Sequence, residues 1–120
     1  MANKPSVRVG RIYDEPNRLD GTRDLVDRIW PRGMSKDRAA IDDWCKQITP
    51  STQLRNWCAH DPQKYDEFSR RYRAELEKPE QAAALKHLRE LAQDTTLTLL
   101  TATRRADISE AAVLVDLIKG

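Results

Sequence analysis

The chain has 120 residues, 39% of them hydrophobic and 33% charged, with a formal net charge of +2. That is apolar material for one core under a very polar surface, and too little chain for two good cores. A net charge this small does not by itself imply nucleic-acid binding, and no apolar run approaches the roughly 20 residues of a membrane helix. Val7 to Tyr13 is β-branched and aromatic with rough alternation, so it reads as a first strand. Turn residues follow at Asp14 to Asn17 and at Asp20-Gly21. A second strand is expected from Thr22 to Trp30, ended by Pro31-Arg32-Gly33. The link between these strands is shorter than the dozen or so residues of a crossover, which taken alone favours an antiparallel first pair.

A helical middle comes next. Ile41, Trp44 and Ile48 recur at helical spacing and predict a short helix. Thr49 to Thr52 reads as a second helix start, with Leu54, Trp57 and Cys58 on one face. Asp61-Pro62 is a stronger start, an acid as cap with proline where no N–H is needed. Tyr65, Phe68, Tyr72 and Leu76 then mark one face of a helix that stops before Pro79. Glu80 to Gln93 predicts another, burying Leu85, Leu88 and Leu91. Leu97 to Ala102 reads as a third strand buried on both faces. Asp107 with Glu110 resembles a capping box that opens a last helix with Ile108, Ala112, Val115 and Ile118 inward. The expected order is β-β-α-α-α-α-β-α in one domain over 5–119. The long helical crossover between the second and third strands fits parallel pairing.

Several chemistries are absent from the sequence. There is no P-loop, no dinucleotide-binding glycine pattern, no nucleophile elbow and no zincin motif. Cys45 and Cys58 read as reduced thiols packed as small apolar groups, and no metal site or cofactor is implied. Met1 to Pro5 lacks the apolar stretch of a secretory signal, so the expected compartment is the cytoplasm.

Charge is unevenly spread. Residues 1–38 hold nine Lys/Arg against six Asp/Glu, and much of that excess is arginine, the side chain suited to bidentate anion recognition.

From Gly21 to Gly33 the sequence Gly-Thr-Arg-Asp-Leu-Val-Asp-Arg-Ile-Trp-Pro-Arg-Gly resembles the signature of the DUF488 family, in its short YeaO-like branch. Arg11 to Asp14, Trp44 with Ile48 to Ser51, Leu54 to Trp57 with His60 to Pro62, Phe68 with Arg71 and Tyr72, and Leu97 to Leu100 match further segments in order. The resemblance covers nearly the whole chain. It implies a three-layer α/β domain with a mainly parallel sheet, and little about activity. Some relatives carry a transcription-regulator label, but nothing here reads as a helix-turn-helix with a basic recognition helix. Ser109 stands where the branch usually has Asn, and Arg105 where it has an acid. Thr101 stands where longer relatives place a cysteine, so a cysteine nucleophile does not carry over to that position.

The fold class expected is therefore α/β, with about three strands and helices on both faces. Open sheets of this kind hold ligands beyond the carboxyl ends of their strands, where Asp27-Arg28-Ile29-Trp30-Pro31-Arg32-Gly33 would lie. Arg28 and Arg32 have the chemistry to hold a phosphate or carboxylate. Trp30 offers an apolar wall or a core aromatic, and Gly33 a close backbone approach. Asp27 reads either as a buried anchor or as a proton-moving group, and His60 as an acid–base residue or a loop histidine. Arg11 and Tyr13 share a face of the first strand, and Arg104 follows the third. Arg71 has the reach to pair with an acid such as Asp27. A small anionic ligand is the favoured partner. A nucleic-acid-binding or regulatory module comes second, and a protein-interaction module without catalysis third.

Overall fold

The computed structural model describes residues 6–59 and 61–119. Its sheet has four strands: β1 (Val7–Arg11), β2 (Thr22–Leu25), β3 (Asp43–Trp44) and β4 (Leu97–Thr101). Their spatial order is β1-β4-β2-β3, and every pair is parallel. The helices are α1 (Lys36–Ala39), α2 (Thr52–Cys58), α3 (Tyr65–Glu75), α4 (Pro79–Asp94) and α5 (Glu110–Lys119).

β4 explains the architecture. All five of its residues are buried, as its unbroken apolar run requires of a central strand. Leu97 and Leu99 face a core built with Leu54 of α2, Phe68 and Tyr72 of α3, Leu88 of α4 and Leu114 of α5. On the other face Leu100 joins Ile12, Leu25, Met34 and Ala39, with Trp30 and Trp44 packed against them. The layers are thus unequal. Four helices supply one core, whereas the other is closed by the single turn of α1 and the chain around it.

Sequence signals for helix starts are largely realised. Ser51 caps α2 by accepting the Leu54 N–H at 3.2 Å. Asp61 accepts the Gln63 N–H at 2.9 Å, with Pro62 in the first position of a 3-10 turn that leads into α3.

Four expectations are corrected. β1 and β2 are not an antiparallel pair, because β4 lies between them and runs parallel to both. The strand expected to reach Trp30 ends at Leu25, and Ile29 is 67% exposed. The chain leaves the sheet there and turns through Pro31 to Met34, with Gly33 at φ +76° in the left-handed region that favours glycine. Ile41 to Ile48 is no helix. Asp43 and Trp44 pair with Asp24 and Leu25 as an edge strand, and the Cys45 N–H donates to the Leu25 carbonyl at 2.9 Å. An open sheet edge satisfies these backbone groups, which outweighs the side-chain spacing. Finally, α5 starts at Glu110, and Asp107 pairs with Arg105 rather than capping it. The inward face is accordingly Ala111, Leu114, Val115 and Ile118, with Ala112 only half-buried.

At the amino ends of the strands Arg23 is almost fully buried on the α1 face. Its guanidinium donates to the Ala39 and Ala40 carbonyls at 2.9 and 3.1 Å and to Asp20. Arg8 reaches the other Asp20 oxygen. Burial works to raise the Asp20 pKa, but the Asn17 N–H and the two guanidiniums outweigh it and hold the carboxyl below its usual range.

Candidate functional site

Because all strands are parallel, β2 and β4 end at the same rim. A cleft of about 740 Å³ opens there. The segment after β2 supplies Asp27, Arg28, Trp30 and Arg32. The segment after β4 supplies Arg104 and Arg105, and α2 supplies Arg55. Phe68, Pro50 and Ile108 add apolar wall.

Asp27 is fixed by the end of β4. One carboxylate oxygen accepts the Thr101 hydroxyl at 2.8 Å, and the other accepts the Ala102 N–H at 2.7 Å. Its carbonyl accepts the Trp44 indole N–H at 2.6 Å. Asp27 thus ties β2, β3 and β4 together at the rim while lining the cleft. Arg71, the partner the sequence suggests for an acid such as Asp27, instead pairs with Glu67 and lies over the Trp57 ring.

Glu110, the first residue of α5, lines the same cleft and hydrogen-bonds to Asp27 through its side chain. Burial, followed by the hydrogen bond to Asp27 and that group's charge, holds its proton well above the usual carboxylate range. Sequence reasoning missed Glu110 because Asp107-Ile108-Ser109-Glu110 reads locally as a capping box. Nothing within that window reveals that the carboxyl turns toward Asp27.

The arginines contrast with this pair. Arg28, Arg32, Arg55 and Arg104 are exposed at the cleft, and none has an ion-pair partner among the described residues. Arg105 is neutralised by Asp107 at 3.0 Å.

Trp30 is both wall and core. Its indole N–H donates to the Met34 carbonyl at 2.7 Å, and its ring meets Trp44 edge-on at 5.3 Å.

Three expected site residues lie off the cleft lining. Tyr13 donates its hydroxyl to the Arg32 carbonyl at 3.0 Å and so braces the loop that carries the arginines. Arg11, in register with Thr101, is half-buried with its guanidinium 5.9 Å from the centre of the Tyr13 ring. Gly33 makes the turn, and a side chain there would meet nothing. His60 lies outside the described residues. Cys58 lines the cleft half-buried, whereas Cys45 is buried. Burial, with the Asp24 charge nearby, pushes the Cys45 thiol up to about 11, which keeps it protonated and unreactive. No group of His, Cys, Asp and Glu suited to hold a metal occurs among the described residues.

A parallel open-sheet domain with a crevice beyond its strand ends belongs to the α/β class whose members hold ligands at that edge. The chain belongs to the DUF488 family, in its short YeaO-like branch. The family description that matches, over residues 6–120, is "Inactive DUF488-N3 subclade". An uncharacterised protein of Mycobacterium tuberculosis is 45% identical over 120 residues, which cover 100% of this chain and 99% of that protein. The uncharacterised protein YeaO of Escherichia coli is 40% identical over 114 residues, covering 95% and 97% respectively. No solved structure matches the chain.

Proposed function

We propose that this protein binds a small anionic ligand, a phosphate or carboxylate, in the cleft at the carboxyl edge of the sheet. The observation that carries the reading is the convergence of Arg28, Arg32, Arg55 and Arg104 on one cleft, none of them in an ion pair among the described residues. The acids present offset them weakly. Asp27 is engaged by Thr101 and Ala102, Asp61 caps a turn, and burial beside Asp27 raises the Glu110 pKa above the usual carboxylate range. Guanidiniums left open in this way are suited to planar, bidentate anions. Trp30 and Pro31 supply an apolar wall for the body of a ligand.

The family's description as inactive favours binding without turnover. In that reading Asp27 and Glu110 shape and position the site rather than move protons through a reaction. The compartment that goes with this reading is the cytoplasm, in keeping with two free cysteines.

A thermal-shift screen against phosphate, sulfate and organic acids tests the proposal. A bound anion raises the melting temperature with its concentration. Stabilisation must be lost in an Arg28→Ala/Arg32→Ala double variant. If no anion stabilises the protein, or the double variant gains as much as the parent, the reading is wrong.

A further inference from the structure

A second cleft, of about 470 Å³, adjoins the first, and the two share Arg28 and Thr49 as common wall. Its remaining charged lining is Lys46, Lys78 and Glu75. Glu75 is already engaged, because its two oxygens accept the Ser51 N–H at 2.9 Å and the Ser51 hydroxyl at 2.6 Å. Lys46 is held with its ammonium 4.1 Å from the centre of the Trp44 ring, a contact that positions the charge without cancelling it. Neither lysine forms an ion pair among the described residues. The 16-residue helix α4 also begins at this wall, with Lys78 as a cap residue whose side chain makes no capping bond. Its partial positive end adds to the field, although the argument stands on the cations and the shared wall.

Arg28 therefore stands between two cationic compartments. A single phosphate needs only one of them. We propose that the ligand carries two or more anionic groups, seated on either side of Arg28, and is a condensed phosphate or a diphosphate ester. Lys46 and Lys78 are then binding residues of the distal compartment, and the apolar wall at Trp30 and Pro31 faces the organic part of an ester. This inference rests on the anion-binding reading and deepens it. Two groups held by one framework gain from each other's binding, since the second engagement is intramolecular.

Titration calorimetry with orthophosphate and tripolyphosphate, at matched ionic strength, separates the possibilities. Tripolyphosphate is expected to bind at least about tenfold more tightly than orthophosphate. A Lys46→Gln/Lys78→Gln variant should lose that advantage and keep orthophosphate affinity within about twofold, while a Lys86→Gln/Lys119→Gln variant of equal charge change, remote from both clefts, keeps it. Melting temperatures of both variants report that the fold is retained. If orthophosphate binds but tripolyphosphate gains nothing, or its gain survives loss of Lys46 and Lys78, the two-compartment inference is overturned and the simpler anion site stands. If neither phosphate binds, the two-compartment inference falls, and the anion site stands or falls on the thermal-shift screen with sulfate and organic acids.

Discussion

The two ends of the sheet use the same residue types to opposite effect. At the amino end Arg8 and Arg23 close on Asp20, and Arg23 also caps the carbonyls of Ala39 and Ala40. Both guanidiniums there are engaged within the fold. At the carboxyl end Arg28, Arg32 and Arg104 meet no acid among the described residues and border a cleft instead. Arginine content alone therefore says little. What separates an arginine consumed by the fold from one left open at the cleft is whether an acid arrives within the fold to meet it.

The contrast predicts a split between stability and binding. Arg23→Met leaves Asp20 with a broken buried pair and should cost about 3–5 kcal/mol in urea denaturation. Arg28→Met should stay within about 0.5 kcal/mol of the parent. Equal losses would erase the distinction between the two ends.

A third charged locus sharpens it. Asp24, fully buried on β2, has both carboxyl oxygens without a hydrogen-bond partner among the described residues and lies beside Asp43. Burial, then the neighbouring Asp43, pushes it up to about 7 from 3.8. Below about pH 4 folded and unfolded chains both hold this proton. As pH rises toward 7 the unfolded chain releases it while the folded chain keeps it, so stability falls. At 1.36 kcal/mol per unit the loss amounts to roughly 4 kcal/mol by neutral pH. Asp24→Asn should flatten this slope and be the more stable protein at pH 8. An unchanged pH profile would show that the carboxyl is not the origin of the slope.

Ligand stabilisation is the next effect in size. An anion at a hundred times its dissociation constant should add about 2.7 kcal/mol to the parent and to Arg23→Lys, provided that variant folds, but not to the Arg28/Arg32 double variant. A smaller loss is expected at Thr101→Val. This deletes the hydroxyl donated to Asp27 and should cost about 1–2 kcal/mol, measured by chemical denaturation. A larger loss, with ligand response intact, would make Asp27 chiefly a strand tie.

Much of the fold was legible because local chemistry and global packing agree. The apolar run Leu97 to Thr101 announced a strand buried on both sides, and Ser51 and Asp61 cap their turns as their types suggest. Arg28 and Arg32 stood out as part of a motif and Arg104 for following the third strand, whereas nothing in the sequence set Arg55 apart. Failures arose where a long-range partner overrode a local signal. Asp43 and Trp44 carry helical spacing yet find an open edge at β2. Glu110 carries a capping pattern yet turns to Asp27, far away in sequence. No window around either position contains its partner.

The central place of β4 has a consequence for how the chain is made. β1 and β2 hydrogen-bond to β4 and not to each other, and β4 lies some seventy or more positions downstream of both. During synthesis β1 emerges with both flanks bare and β2 with only the two-residue β3 to pair with, while the middle helices have neighbours close at hand. Sheet assembly waits for Leu97 to Thr101 to slot between them, a late and distant closure of the kind that slows folding and leaves strand edges open to aggregation.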